Sequence, residues 1–197
     1  MTEPAAYSDL DSRRFGIRVF RGQVDTVEAA ARLVDFARAQ DLDLLIVRCP
    51  SEAVDVAQAL ERAGCFLTDT LVYYRGETRP FEPSPARGTR IRPYQAADRA
   101  ALEKCAGAAF HDFRGHYHTD ARLDPAAATA GYVEWALSAT TDPTSVVLVA
   151  ETEKRLSGFL TAKILDGNTW EVVLNGVGPE FQRRGIYTAL FTEIGTR

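Results

Sequence analysis

Three apolar runs separated by two short turns constrain the fold of this chain more than any other feature. The runs are SVVLVAE at 145–151, RLSGFLTAKIL at 155–165 and TWEVVLNGV at 169–177. The turn TEKR separates the first two, and DGN, with an Asp-Gly pair typical of hairpins, separates the last two. Because strands joined by such short turns run antiparallel, the sequence predicts a three-stranded antiparallel meander.

The segments around these runs predict one further strand and three helices. TRIRPY at 89–94 is a short strand, and the alanine-rich run 96–110 favours a helix. A second helix is predicted over 124–140, with Asp124 as N-cap followed by a proline at the first helical position, and a third begins near Arg184. This order predicts an α+β fold in which helices flank a mixed, mostly antiparallel sheet.

The N-terminal part of the chain begins with a predicted strand, helix and strand. The strand is FGIRVF at 15–20, and apolar residues recur at helical spacing over 26–39. Asp25 and Glu28 are placed as a capping box for that helix. The run LDLLIVRC at 42–49 has the pattern of a buried strand.

A second helix and a closing strand complete the N-terminal part. Ser51 is placed to cap a helix that runs through Arg62, and Gly64 is a typical C-terminal stop. The aromatic-rich run FLTDTLVYYR at 66–75 then predicts one or two strands.

A proline-rich segment divides the chain into two parts. Residues 77–88 contain three prolines and show no apolar period, which is typical of a linker. We therefore expect an N-terminal module over 1–76, a linker over 77–88 and the main domain over 89–197.

Composition excludes several classes of protein. Residues of the hydrophobic types make up 46% of the 197, and no apolar run approaches the roughly 18 residues of a membrane-spanning helix. The N-terminus lacks the features of a signal peptide, so we expect a cytoplasmic protein without a membrane partner. A net charge of -4 argues against a nucleic-acid partner. The three cysteines have no zinc or disulfide spacing and are predicted to be core residues.

The start of the last helix is a candidate anion site. Its first backbone N–H groups have no partner within the helix, and the helix dipole adds partial positive charge. Gly185 lets the backbone approach a ligand closely, and Arg183 and Arg184 add positive charge, so a phosphate or pyrophosphate is the expected ligand. The alternative is an ordinary polar loop with a solvated basic pair.

The stretch VGPEFQRRGIYTAL at 177–190 resembles the acetyl-CoA loop of GCN5-related N-acetyltransferases. Gln182 matches the first position of that pattern and Gly185 its central glycine, whereas Tyr187 replaces the final small residue. The order of elements over 89–197 also resembles that family. The resemblance implies that acetyl-CoA is the co-substrate, bound by residues that follow the fourth strand of the family fold: Val177, Gln182, Arg183, Arg184, Gly185, Ile186, Tyr187 and Thr188.

The same resemblance implies a reaction centre and an acceptor. The pantetheine arm would bond the backbone of 174–177, with the thioester near Asn175 and a backbone N–H from this stretch facing the oxyanion. The segments FRGHYHTDARLD at 113–124 and GYVEWA at 131–136, with Gly158-Phe159, resemble acetyltransferases of nucleotide-linked amino sugars. The expected activity is therefore acetyl transfer to a primary amine of a small molecule, with such an amino sugar as one candidate.

The resemblance also raises an alternative function. Family members continue beyond the pyrophosphate-binding helix with further strands and a tyrosine that protonates the thiolate, and we expect that part to be missing from this chain, which ends at Arg197. The alternative is a truncated or inactive protein that only binds CoA. The module 1–76 resembles a partial copy of the same fold, and its residues 42–75 could pair beside the fourth strand within one chain or in a homodimer.

Histidines cluster in the loop between the first two helices of the main domain. His111, His116 and His118 lie within eight residues, and His116 and His118 would point the same way in an extended segment. Metal binding is one interpretation, but the spacing matches no recognised metal site and we predict none. Substrate contact and plain packing are equally open, and we retain His116 and His118 as candidate bases for the acceptor amine.

Two aromatic residues of the second helix have a structural and a functional interpretation. Tyr132 and Trp135 lie three positions apart and are expected to face one side together. We predict that both belong to the core, with stacking against a sugar as the alternative.

Overall fold

The computed structural model describes residues 4–40, 42–77, 86, 88–166 and 169–196. The chain divides into two compact units. The first comprises residues 1–72 and 114–127, and the second comprises residues 73–113 and 128–197. Most of the predicted linker 77–88 and the centre of the predicted DGN turn lie outside the described residues. No helix in the described ranges is long and apolar enough to cross a membrane.

The first unit contains three strands and three helices. In chain order they are β1 (Ala5–Tyr7), α1 (Asp9–Phe15), β2 (Val19–Gln23), α2 (Val27–Ala39), β3 (Leu44–Arg48) and α3 (Val54–Arg62). The sheet has the order β1-β2-β3, with β1 antiparallel and β3 parallel to β2. A parallel pair needs a crossover connection, which α2 provides. Leu33 of α2 and Val56 of α3 are fully buried in the core of this unit.

Two predicted helix caps of the first unit are wrong, and one helix was not predicted. The N-cap of α2 is Thr26, whose side chain accepts a hydrogen bond from the Ala29 N–H at 3.2 Å, so Asp25 and Glu28 do not form the capping box. Ser51 does not cap α3, which starts after Ala53 without a side-chain cap. Helix α1 was missed, although its N-cap Ser8 and the left-handed Gly16 that ends it are typical helix boundaries.

Residues 66–75 are not a strand, which contradicts the sequence prediction. The whole stretch lacks helix or strand, and its backbone groups have no hydrogen-bond partner in the part of the chain that the structure describes. A β-prone sequence becomes a strand only when another strand is available for its backbone. Tyr73 and Tyr74, which are 74% and 94% exposed, therefore do not alternate between two faces of a sheet.

The second unit contains the predicted meander. Its elements are β4 (Thr89–Pro93), α4 (Arg99–Phe110), most of α5 (Pro125–Ser138), β5 (Ser145–Thr152), β6 (Arg155–Asp166), β7 (Thr169–Val177) and α6 (Ile186–Gly195). The sheet order is β4-β5-β6-β7, and every neighbouring pair is antiparallel. The predicted α+β fold and its order of elements are confirmed.

Helices cover both faces of this sheet. Phe159 of β6 is buried on the face that packs against α4 and α5, and its neighbour Leu160 is buried on the face that packs against α6. This alternation follows from the pleat of a strand, which points successive side chains to opposite faces. The predicted N-cap of α5 is confirmed, because an Asp124 carboxylate oxygen accepts the Ala126 N–H at 2.9 Å.

The two aromatic residues of α5 have different environments. The ring of Tyr132 is buried and stacks on Phe110, with centroids 4.8 Å apart. Trp135 is 46% exposed, so the prediction that both residues belong to the core is wrong for Trp135. The helix turn separates their side chains enough for only one to reach the sheet.

Candidate active site

A tight turn connects β7 to α6 and places a row of backbone groups at the start of the helix. After β7, a short 3-10 helix spans Pro179–Phe181, and the Phe181 ring is buried with 3% exposure. Because this ring anchors the turn, the following residues are held at the surface of the unit. The side-chain amide of Gln182 donates a hydrogen bond back to the Val177 carbonyl at 3.3 Å, which closes the turn on the end of the strand.

Two residues of this turn adopt the left-handed conformation. Arg183 has a φ of 63° and Gly185, the N-cap of α6, has a φ of 77°. The left-handed region costs a residue with a Cβ about 1–2 kcal/mol, so glycine is the residue best suited to the second position.

The N–H groups of residues 183–188 are available to a ligand. In the described part of the chain none of these six groups has a hydrogen-bond acceptor, whereas the next N–H, that of Ala189, bonds to the Gly185 carbonyl at 3.0 Å. Helix N-termini leave such groups unsatisfied and carry partial positive charge. The arrangement is therefore suited to bind an anion with several oxygens.

A cavity of about 430 Å³ opens on this row of N–H groups. Seven of the eight residues predicted to hold the cofactor line it, namely Val177, Gln182, Arg183, Gly185, Ile186, Tyr187 and Thr188. The eighth, Arg184, is not among the lining residues. Its guanidinium carbon lies 5.5 Å from the centroid of the Phe181 ring, over which Arg155 also lies at 4.9 Å.

Three further residues line the cavity and were not predicted. Ala109 comes from α4, Gly176 from β7 and Phe181 from the turn. A Cβ on Gly176 would lie 2.9 Å from the Ala109 Cβ and 2.9 Å from the Phe159 ring, so only glycine lets α4 approach the strand this closely. A glycine inside a strand often marks such an approach, and this sequence feature could have identified Gly176.

Asn175 lies beside the cavity residues along β7 but does not line the cavity. It pairs with Leu160 across the sheet, and the register of β6 and β7 shifts between the pairs Thr161–Leu174 and Ala162–Val172. A shift of this kind is a β-bulge at Val173, which locally disrupts the hydrogen-bond ladder and bends the strand. The predicted reaction centre over 174–177 therefore begins at an irregularity of the strand.

Tyr187 is part of the cavity wall. It is 53% exposed, and its ring packs against Phe191 one turn later in α6, with centroids 4.5 Å apart. The bulky side chain is therefore held along the outside of its own helix. Its position leaves the Gly185 backbone exposed at the surface.

The two candidate catalytic histidines belong to the first unit, whereas the cavity belongs to the second. They lie in a 3-10 turn, His116–His118, so the expectation that both point the same way from an extended segment is wrong. The Nδ1 of His116 is 3.3 Å from an Asp69 carboxylate oxygen, which also accepts the His116 backbone N–H at 3.2 Å. Burial lowers the pKa of His116, while the nearby Asp69 opposes this shift.

The residue between the histidines anchors their turn. The Tyr117 hydroxyl donates to an Asp11 carboxylate oxygen at 2.7 Å, and Arg21 bonds both to that carboxylate and to the hydroxyl. Burial and the bond to Asp11 raise the pKa of Tyr117 to about 12. Burial also acts to raise the pKa of Asp11, but hydrogen bonds from Arg21, Ser8 and Tyr117 outweigh it and lower that pKa.

A second depression, of about 730 Å³, lies along α4 and α5 of the second unit. Apolar Val133 and Leu137 line it together with Glu103 and Glu134. None of the predicted site residues takes part. Among the described residues, no group of three or more potential metal ligands lies close enough together to hold an ion.

A family profile and several solved structures match part of the chain. The profile of the acetyltransferase (GNAT) family matches residues 101–194. No curated protein sequence matches the chain.

Several solved structures of acetyltransferases are similar to the chain. The ribosomal-protein-S18-alanine N-acetyltransferase from Escherichia coli has 13% identity and a TM-score of 0.39, over 54% of this chain and 56% of that one. The PaiA N-acetyltransferase from Thermoplasma acidophilum, solved in complex with coenzyme A, has 18% identity and a TM-score of 0.40, over 55% and 70%. A GNAT family acetyltransferase from Brucella melitensis, in complex with acetyl-CoA, has 24% identity and a TM-score of 0.38, over 53% and 64%.

The matched part of the chain contains all the cavity-lining residues and several elements that do not line the cavity. The chain spans 56% of the length of the Escherichia coli enzyme. Residues 101–194 include most of α4, all of α5, the meander from β5 to β7 and most of α6. These residues match the profile of the acetyltransferase (GNAT) family, and most of them belong to the second unit.

Proposed function

We propose that the protein is an N-acetyltransferase that transfers the acetyl group of acetyl-CoA to a primary amine. One observation carries this proposal: six consecutive N–H groups at the start of α6 have no acceptor among the described residues, and five of the six residues that carry them line a cavity of about 430 Å³. The match of residues 101–194 to the acetyltransferase family supports it.

The proposed cofactor contacts follow from the charge and exposure of the turn. The diphosphate of acetyl-CoA would accept hydrogen bonds from the N–H groups of residues 183–188, and exposed Arg183 would add positive charge at the rim. Arg184 stacks on Phe181 and would contribute through its charge rather than by direct contact. The backbone of 174–177 would hold the pantetheine arm.

The proposed chemistry requires a base for the amine, a hydrogen-bond donor for the oxyanion and a proton for the leaving thiolate. The nitrogen of a neutral amine attacks the thioester carbonyl and forms the C–N bond, and a donor stabilises the oxyanion. The C–S bond then breaks, a base takes the proton that the nitrogen loses, and the leaving thiolate takes up a proton. The backbone around Asn175 is the proposed oxyanion donor, because it adjoins the bulge at Val173. His116 and His118 are the proposed bases, and burial lowers the pKa of both, which keeps each ring neutral and able to accept a proton at pH 7.

The proposal also covers the acceptor amine, the cellular location and the oligomeric state. We propose a small-molecule amine, with a nucleotide-linked amino sugar as the first compound to test, because the segments 113–124 and 131–136 resemble those of amino-sugar acetyltransferases. We further propose a cytoplasmic location, a homodimer and no nucleic-acid partner. The net charge of -4 supports the last point.

Two measurements on the 197-residue chain test the proposed function. Calorimetric titration with acetyl-CoA measures binding, and release of free CoA thiol in the presence of a panel of amines measures transfer. Binding together with amine-dependent thiol release supports the proposal. Binding without turnover on any amine favours the second candidate, a protein that only binds CoA, and absence of binding overturns both.

A further inference from the structure

The segment of residues 66–74, with the sequence FLTDTLVYY, is rich in large apolar residues and yet exposed to solvent. Six of its nine residues are large and apolar, and all six are exposed by more than half: Phe66 57%, Leu67 76%, Leu71 54%, Val72 64%, Tyr73 74% and Tyr74 94%. Exposed apolar residues are ordinary when scattered singly, but a contiguous run marks an interaction surface.

The backbone groups of this segment also lack hydrogen-bond partners within the described residues. In the described ranges, no N–H or C=O group of residues 66–74 takes part in a backbone hydrogen bond. Its residues are those that favour strands, and a β-prone segment with free backbone groups is a template for pairing with another strand. The surface therefore fits an extended peptide strand better than a helix or a small ligand.

We propose that this segment pairs with the same segment of a second copy of the chain, as an antiparallel two-stranded contact centred on Thr70. The sequence is self-complementary about that residue. Phe66 then lies opposite Tyr74 of the other copy and Leu67 opposite Tyr73, so each aromatic ring meets an apolar partner. A two-fold contact of this kind uses the same patch on both copies, which is the commonest symmetry of homodimers.

Charge does not oppose this contact. The only charged residue of the segment is Asp69, and the two-fold arrangement about Thr70 places it opposite Leu71 rather than opposite another Asp69. One Asp69 carboxylate oxygen is also engaged within its own copy, by the His116 N–H at 3.2 Å and the His116 ring at 3.3 Å. This bond fixes the middle of the segment to the first unit and would limit the entropy lost on pairing.

The available area is sufficient for a weak dimer. A fully exposed aromatic residue offers roughly 150–250 Å², so the six apolar residues together expose on the order of 900 Å² on one copy. Covering two thirds of that area on each copy buries roughly 1,200 Å² in total, the lower limit of specific interfaces. We therefore expect dimerisation at micromolar concentrations.

Sedimentation equilibrium tests the proposal on the intact chain. The wild type is expected to shift from a mass of 21.7 kDa toward twice that value as its concentration rises. Thr70→Pro removes a backbone donor, and Leu67→Lys places a charge in the contact; each is expected to raise the dimer dissociation constant about tenfold or more. The matched control is Val54→Lys, at an apolar residue of α3 that is 58% exposed, and it should leave the constant unchanged.

Disulfide trapping tests the register and does not depend on a destabilising variant. Two-fold pairing about Thr70 places both residue-70 side chains opposite each other, within reach of a disulfide. Thr70→Cys should cross-link under oxidation, whereas Thr68→Cys, which lies opposite Val72, should give only the background of the wild-type cysteines. A wild type that stays monomeric, or equal cross-linking of the two variants, would overturn the proposal. Both results are independent of CoA binding, so the proposed catalytic function is tested separately.

Discussion

Gly185→Glu is expected to abolish binding of acetyl-CoA while leaving the fold intact. Gly185 has a φ of 77° and lies in the middle of the six N–H groups that have no acceptor among the described residues. A glutamate there would introduce a side chain at the proposed closest approach of the backbone to acetyl-CoA, and its carboxylate would repel the diphosphate. Both effects act on the bound state and therefore lower affinity.

The expected loss of affinity for acetyl-CoA can be estimated from the number of hydrogen bonds that the substitution removes. A hydrogen bond to a charged group contributes about 1.5–3 kcal/mol, so loss of two of the six costs about 3–6 kcal/mol, a fall in affinity of at least about 100-fold. The left-handed backbone costs the new residue a further amount of about 1–2 kcal/mol. That cost is present with and without ligand, so it lowers the stability of the fold and not the affinity.

A matched variant separates these two effects. Gly64 also has a positive φ, 100°, is exposed and has no neighbouring atom within 4 Å of an added Cβ, but it lies after α3, away from the cavity residues in the sequence and in the other unit. Gly64→Glu is expected to lower the melting temperature to a similar extent and to bind acetyl-CoA like the wild type in a calorimetric titration. If Gly185→Glu binds within about threefold of the wild type, the diphosphate does not lie at this turn.

Three further predictions concern stability and pH. Phe159→Ala should lower the free energy of unfolding by about 3–5 kcal/mol in urea titration, because the ring is fully buried between α4 and the sheet; a loss under about 1 kcal/mol would show that the site collapses or was never packed. Asp11→Ala should cost a similar amount at pH 7, since it leaves Arg21 and Tyr117 without their shared acceptor. The pKa of Asp11 is lowered by folding, so the contribution of its charge is fully present above a pH of about 4 and is lost as the pH falls through the lowered folded-state pKa; an Asp11→Ala deficit that does not shrink as the pH falls below about 4 contradicts the assignment. The pKa of His116 is also lowered, so the unfolded state binds more protons and stability should fall as the pH drops below about 6.5, an effect that His116→Gln should reduce.

Features encoded by neighbouring residues were predictable from the sequence. The Asp124 N-cap bonds to a group two residues away, and the meander from β5 to β7 needs only short turns between apolar runs. Glu153 and Lys154, at φ values of 52° and 62°, form the first of these turns without a glycine. The turn before α6 was found for the same reason, because a glycine between a strand and a helix is visible in the sequence.

Predictions from the sequence failed in two situations. In one, neighbouring residues can both act as the cap of a helix; in the other, the outcome depends on contacts with residues distant in the chain. Asp25 and Thr26 are both competent N-caps, and the structure uses Thr26 because the helix begins one residue later. The run 66–75 has strand composition, yet no strand lies alongside it within the described residues to accept its hydrogen bonds. Trp135 has a helical spacing that suits the core, but the packing of α5 buries only Tyr132.

The sequence by itself determined the order of elements in the second unit and the glycine turn at the start of its last helix, because both depend on contacts within a few residues. Only the tertiary structure decided what surrounds that turn. Ala109 and Gly176 are separated by most of the unit in the chain and meet at the cavity because a residue without a side chain lets α4 approach the sheet. Tyr117 and Asp11 are 106 residues apart and form a 2.7 Å hydrogen bond, because folding buries both groups and removes the water that would otherwise bond to them. Contacts of this kind depend on burial, which a linear sequence does not specify.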